Sequence, residues 1–296
     1  MSLIKYEVFL SVVELGSLTK AAEALGFTQS GISHTISSLE QEFGFPLLVR
    51  SRSGVRLTVN GEQVLQPIRE ILKWNEQLKQ QVADIHGLET GTITIGTFTS
   101  VSVHWLPDII KQFRAEYPYI DFKLMEGGYL EIEQWIEAGV VDCGFLSLPT
   151  RERFEVIPLM QDRMLAILPL DHPLSKAPYM PLAQIAYEDF IIPKPGSDYD
   201  VQRVLAKAGI KPNIKFSAGD DYAIIAMVEK GLGISILPEL VTGFQHERVA
   251  MLELEERSFR SLGIAVNSMK YASPATRRFL QHVQSWSSGQ GGIHPQ

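Results

Sequence analysis

The chain of 296 residues has a formal net charge of -7, with 45% hydrophobic and 21% charged residues, the balance of a globular protein rather than a disordered one. No run approaches the roughly 20 apolar residues a membrane helix needs, and "MSLIKYEVFLSVVELG" is broken by Lys5, Glu7 and Glu14 rather than built as a signal peptide, so the expected location is the cytoplasm. The single cysteine, Cys143, excludes an intramolecular disulfide and a cysteine-built zinc cluster; within "VVDCGFLSL" it reads as a small buried hydrophobe.

Three regions follow in chain order. In the first, Tyr6, Phe9, Leu10 and Val13 share one face of a helix that Gly16 ends, and Ser17 can cap a second helix in which Leu18, Ala21, Ala22 and Leu25 turn inward. Gly26 stops that helix and Thr28 caps a third, whose Ile32, Ile36, Leu39 and Phe43 form an apolar stripe. Two small alanines at a tight corner let paired helices approach closely. After Gly44, "FPLLVRSRSGVRLT" reads as a hairpin of Leu47 to Arg50 and Val55 to Leu57. The region 1–58 is therefore expected to be a winged helix-turn-helix, and its arginines cluster in the wing, "LLVRSRSGVRL", although the chain is acidic as a whole.

The second region, 59–88, reads as one long helix. Val64, Ile68, Ile71, Asn75, Leu78, Val82 and Ile85 alternate spacings of four and three, the heptad pattern of a helix that packs along another. A dimer seam of Ile68, Ile71, Asn75, Leu78 and Val82 is expected, with Asn75 selecting register and Pro67 kinking the rod.

The third region, 89–296, alternates strand-like and helical runs in the manner of a parallel α/β sheet. "TITIGT", a helix from about Val101 to Tyr117, "IDFKLMEG", a helix Leu130 to Ala138 and "VVDCGFLSL" make a first set. "MLAILPL", "FIIPKP", the helix Tyr199 to Ala208, "NIKFSAG", the helix Tyr222 to Lys230 and "GISILPEL" make a second. Locally "YPYIDFKLMEGGYLEIEQWIEAG" aligns with "KPNIKFSAGDDYAIIAMVEKG", each with a tyrosine near its helix start. Two lobes with a cleft are expected: 89–162 plus 268–296, and 163–267, joined by two crossing strands.

The usual catalytic patterns are missing: no G-x-S-x-G, no P-loop, no H-E-x-x-H, and "GLGISI" lacks the third glycine of a dinucleotide turn. His104, His172, His246 and His282 are scattered, and no metal or cofactor site is expected. Glu126, Asp198, Asp220 and Asp221 gather near strand ends, where an acid/base pair and simple helix capping compete as readings.

From "FLSVVELGSLTKAAEALGFTQSGISHTISSLEQEFGFPLLVRSRSGVRLT" and the three regions in this order, the chain resembles the LysR-type transcriptional regulators along essentially its whole length. It departs from the family pattern at Ser30, where proline is common, Gly31 for alanine, Val49 for phenylalanine, and Val59 and Asn60 for Pro-Ala. Gly31 should weaken its helix by up to about 1 kcal/mol relative to alanine. The resemblance implies a regulator of double-stranded DNA, with a C-terminal domain similar to periplasmic binding proteins that takes a small effector between its lobes. It also implies dimers paired into tetramers.

In a helix-turn-helix the start of the second helix enters the major groove, which selects Gln29, Ser30, Ser33 and His34, with Gln29 able to engage adenine and Ser33, His34 and Ser37 able to reach bases or phosphates. Ser17 and Thr28 can direct helix-end amides to phosphate, and Arg50, Arg52 and Arg56 can hold phosphates or reach the minor groove. Ligands of open α/β sheets bind beyond the carboxyl ends of strands. That rule selects Thr97, Thr99, Ser100, Val101, Ser102, Glu126, Gly128, Leu146, Ser147, Pro193, Gly196, Ser197 and Asp220 for a small polar effector with an anionic group, amphoteric if the carboxylates take part, Lys194 being the nearby cation. Two alternatives stand beside this reading: a regulator with a vestigial cleft, and a DNA-anchored enzyme.

Overall fold

A computed structural model describes residues 2–51, 54–85, 90–151, 153–242 and 247–289, and the chain divides into two compact units, Met1–Gly87 and Leu88–Gln296. In the first unit, α1 (Leu3–Leu15), α2 (Leu18–Leu25) and α3 (Gln29–Phe43) precede strands β1 (Leu48–Ser51) and β2 (Gly54–Leu57) and the helix α4 (Val59–Ile85). Gly16, Gly26 and Gly44 end the first three helices in left-handed conformation, which a side chain would strain. Ser17 accepts the Lys20 N–H at 3.3 Å and Thr28 accepts that of Gly31 at 3.1 Å, so both act as caps. Ala21 and Ala22 are buried with Phe9, Ile32, Ile36 and Leu39 in one core. Leu25, expected inward, is exposed, because it is the last helical residue before the chain turns at Gly26.

The wing is fastened by polar contacts that no hydrophobic pattern announces. The Glu40 carboxylate accepts the N–H groups of Leu47 and Leu48 at 2.8 and 3.1 Å, and Val55 N–H donates to the Gly16 carbonyl at 3.0 Å. Thr58 donates to the Pro46 carbonyl at 2.8 Å while accepting from Gly61 N–H at 2.9 Å, which starts α4. A Cβ at Gly61 would lie 2.2 Å from the Leu47 carbonyl oxygen, so only glycine lets α4 begin this close to the wing.

The heptad row of α4 serves two purposes. Ile68 is 2% exposed and packs with Val64, Leu65 and Leu72 into the core of its own unit. This corrects its assignment to a dimer seam: the first turns of α4 lie against α1 and are consumed there. Ile71, Leu78, Val82 and Ile85 are exposed and Asn75 is half-buried. The helix runs through Pro67 without interruption, with Pro67 itself on the exposed side.

In the second unit the order is β3 (Gly91–Thr97), α5 (Thr99–His104), α6 (Leu106–Glu116), β4 (Ile120–Glu126), α7 (Tyr129–Glu137), β5 (Cys143–Leu148) and β6 (Glu155–Leu168). Then come a 3-10 turn at Leu182–Tyr187, β7 (Asp189–Pro193), α8 (Tyr199–Ala208), β8 (Asn213–Ala218), α9 (Asp221–Glu229), β9 (Ser235–Pro238), α10 (Glu239–Thr242), β10 (Ala250–Val266) and α11 (Pro274–Gly289). The single helix expected over Val101 to Tyr117 is two, broken at Trp105, with Pro107 in the first turn of α6 where a missing N–H is tolerated. One six-stranded sheet has the order β4-β3-β5-β10-β6-β9, and β7 and β8 form a parallel pair.

β6 and β10 pair antiparallel over almost their full lengths and pass through both lobes. The first lobe's core holds Ile93, Phe113, Phe145 and Phe279; the second lobe's holds Phe190, Ile192, Val201 and Ile236, with Ile224 and Leu237 in an adjoining cluster. Leu262, Ile264, Ala265 and Val266 belong to the first core, which moves the expected second lobe's end at residue 267 back along β10, a strand too long to stay in one lobe. Cys143 is buried there too. Both halves of the local repeat fold alike: β4 pairs parallel with β3 and leads into α7, and β8 pairs parallel with β7 and leads into α9.

Candidate functional site

In the first unit the face of α3 opposite its apolar stripe is open. Gln29, Ser30, His34 and Ser37 are exposed, and Ser33 is half-buried because the Arg50 guanidinium donates to its hydroxyl at 2.9 Å. Wing and helix thus meet through a side-chain bond. Arg56 is exposed on β2, and Arg52 lies outside the described residues. Ser30 and Thr28 share a hydroxyl–hydroxyl bond at 3.1 Å, and a Cβ at Gly31 would come to 3.1 Å from Thr28 Oγ1, crowding the cap.

The second unit holds a cleft of about 280 Å³ between its lobes, at the small end of ligand pockets. One wall is the start of α5 and the β4–α7 turn; the other is the segment after β7, α8 and the β8–α9 turn; β6, β9 and β10 supply the floor. Of the residues selected from sequence, Thr99, Glu126, Gly128, Pro193, Ser197 and Asp220 come together here. Val101 and Leu146 are in the first core instead. The hydroxyls of Thr97 and Ser102 bond each other at 3.1 Å, and Gly196 lines a small neighbouring pocket together with Ser147. These residues follow the chain past the strand ends, but alternate side chains there turn into the lobe. Asp220 also caps α9, accepting from Ala223 N–H at 3.0 Å.

The centre of the cleft is Arg260, which the sequence reading passed over. It is 2% exposed and donates to Asp162 at 2.8 Å, to the Tyr129 hydroxyl at 2.9 Å and to Ser100 at 2.9 Å. The Tyr129 hydroxyl donates onward to Asp200 at 3.0 Å, and Asp200 also accepts from Ser147 at 2.8 Å and from Arg203 at 2.6 Å. Arg203 in turn donates to the Leu148 carbonyl at 2.9 Å. Asp200 and Arg203 stand on α8 and their partners in the first lobe, so this buried chain of bonds ties the lobes together. Ser100 and Ser147 are both part of it. A charged arginine inside an apolar strand run, "SFRSLGIAV", was the available signal: such a group needs buried partners.

The two repeat-related tyrosines reach across in opposite directions. Tyr129 on α7 bonds Asp200 in the second lobe; Tyr222 on α9 lies 3.2 Å from the ring Nε2 of His104 in the first. Burial, opposed by Arg260 and assisted by Asp200 and Asp221, holds the Tyr129 phenol far above its usual range, so it remains a donor. Burial likewise raises Asp162 against the pull of Arg260 and lowers His104 against the pull of Asp162. Asp221 is raised by burial, with Arg260 opposing and Asp220 and Asp200 adding. Gly128 also stands against the second lobe: a Cβ there would stand 2.9 Å from Ser197 Oγ and 3.1 Å from the Gly196 carbonyl oxygen.

A winged helix-turn-helix in one unit and a two-lobed cleft in another define a DNA-binding regulator with a ligand-binding domain. Residues 3–62 match the bacterial regulatory helix-turn-helix protein, lysR family, and residues 86–288 match the LysR substrate binding domain. The chain is 36% identical over 284 residues to the uncharacterized HTH-type transcriptional regulator YvbU of Bacillus subtilis, covering 95% of this chain and 97% of that protein. Its fold matches a full-length OxyR variant from Pseudomonas aeruginosa with a TM-score of 0.77 at 20% identity, over 100% and 99% of the two chains. It matches full-length CbnR complexed with its target DNA with a TM-score of 0.69 at 22% identity, over 96% and 99%. The chain belongs to the LysR family of transcriptional regulators, proteins that bind DNA, take small-molecule effectors and oligomerise. It is a regulator and not an enzyme. No helix among the described residues is long and apolar enough to cross a membrane.

Proposed function

We propose that the chain acts in the cytoplasm, reads its operator with the α3 face of Gln29, Ser30, Ser33, His34 and Ser37, and responds to a small polar molecule held between its lobes. The observation that supports the first part is the exposed, uncharged face of α3, with the wing's Arg50 bonded to its Ser33. A small polar face lets a helix sit deep in the major groove, while wing arginines meet phosphates. Arg50 must exchange its bond with Ser33 for a phosphate or keep it as a brace for the helix. Gln29→Ala is expected to weaken operator binding and relax base preference by about 1 to 3 kcal/mol without changing unfolding. Unaltered affinity and preference in gel-shift titrations on the chain's own upstream region would place recognition elsewhere.

The exposed row Ile71, Leu78, Val82 and Ile85, with Asn75 among it, supports self-association through α4. For the effector, the cleft's size and polar walls support a metabolite-sized ligand, and Lys194 and Ser197 offer partners to an anionic group. A thermal-shift screen of the full chain against a metabolite library tests that part, since a ligand at 100 times its Kd adds about 2.7 kcal/mol of stability. Silence across such a library would favour a cleft that serves only assembly.

A further inference from the structure

Resting on the effector reading, the charge balance of the cleft narrows the class of ligand. Among the described residues six charged side chains line it: Glu126, Asp200, Asp220 and Asp221 against Lys194 and Arg260. Two of these are already neutralised from behind. Arg260 is bound to Asp162, and Asp200 is bound to Arg203. What the cavity presents is therefore Glu126 on the first lobe facing Asp220 and Asp221 on the second, with one cation, Lys194, which stands 4.0 Å from Glu131 outside the lining. Asp220 spends one oxygen on the Ala223 N–H. No donor among the described residues bonds the Asp221 or the Glu126 carboxylate. Asp221 is partly buried beside the cavity, in the first turn of α9, where the helix N-terminus favours a negative charge, and with no protein donor on it its carboxylate keeps its full accepting capacity for a ligand.

We propose that the effector carries a protonated amine, seated between Glu126 of the first lobe and Asp221 of the second, with Asp220 alongside. An ammonium offers three donors and no acceptor, which is what unbonded carboxylates on two facing walls require. Because those carboxylates belong to different lobes, the amine also bridges them, and binding is coupled to closure. An anionic or polar remainder has Lys194, Ser197 and Thr99 to meet it; a purely anionic ligand would face the carboxylates with only Lys194 in its favour.

A four-carbon series of equal length tests the class: 1,4-diaminobutane, 4-aminobutyrate, butyrate and succinate, each at millimolar concentration with the full chain, read by saturation-transfer NMR. Signal is expected from diaminobutane and aminobutyrate, strongest on the methylene beside nitrogen, and none from butyrate or succinate. Asp221→Asn should weaken amine binding roughly tenfold or more, with a comparable loss in Glu126→Gln, an exposed position whose change leaves folding intact. Signal from succinate equal to that from the amines would overturn the amine assignment while upholding the cleft as an effector site. So would amine signal that survives in the Asp221→Asn/Glu126→Gln double variant, which would locate binding elsewhere. Absence of signal from both amines also overturns the assignment, and the effector reading then stands or falls on the library screen alone.

Discussion

The two units place their polar groups in opposite ways. In the first, Gln29, His34, Arg50 and Arg56 point outward and, apart from the Arg50–Ser33 bond, are left to solvent. In the second, Arg260, Asp162 and Asp200 are buried and mutually bonded. Water satisfies an outward group, so a partner can take its place at little cost. An inward group must be satisfied by the protein itself, so its loss is felt as instability before it is felt as function. The contrast separates surface that a macromolecule reads from an interior that decides how two lobes meet.

The largest effect that would break the contrast is at Arg260. Arg260→Met leaves Asp162 buried and unpaired, and is expected to destabilise the second unit by about 3 to 5 kcal/mol. Trp105, Trp135 and Trp286 lie in that unit and only Trp74 in the other, so urea unfolding followed by tryptophan fluorescence reports it. A loss below about 1 kcal/mol would mean that water, not Arg260, carries the charge of Asp162. Next is the divided row of α4. Ile68→Ala removes a core side chain of the first unit and should cost about 2 to 5 kcal/mol. Leu78→Ala should change folding by no more than about 0.5 kcal/mol while weakening self-association in sedimentation velocity. Equal effects at both positions on either measure would erase the division.

The smallest effect has the opposite sign. The carboxyl of Asp221 is raised from 3.8 by burial, so the folded state holds its proton more tightly than the unfolded one. Stability linked to this group is full below pH 3.8 and is lost as pH rises through the folded-state value. Asn lacks that loss: Asp221→Asn should gain about 0.5 to 1 kcal/mol at neutral pH, with the gain vanishing in acid. A pH-independent difference in chemical denaturation would sink the account.

These contrasts also explain what could be read in advance. The helix-turn-helix is built from neighbours: a cap three residues from its amide, a glycine at each helix end, an apolar stripe at every third or fourth residue. Spacing alone reveals such features. The cleft's centre is not local. Arg260 meets Asp162, Tyr129 and Ser100 across 98, 131 and 160 residues of chain. Strand ends could be placed, and with them Thr99, Glu126, Gly128, Pro193, Ser197 and Asp220, but not which alternate side chain faces in. Heptad spacing in α4 was legible as a pattern and silent about the partner. Ile68 and Leu78 obey the same period, one against its own domain and the other at the surface.

Gly128 lines the cleft and stands against the other lobe. Its φ of -75° is one any residue adopts, so alanine there would bring no backbone strain. All of its effect would fall on the gap to Ser197 and Gly196. One methyl group would act as a doorstop, holding the lobes a fraction of an ångström apart and loosening the bonds that Asp200 receives from the other side. The two walls can stand this near to each other because residue 128 carries no side chain.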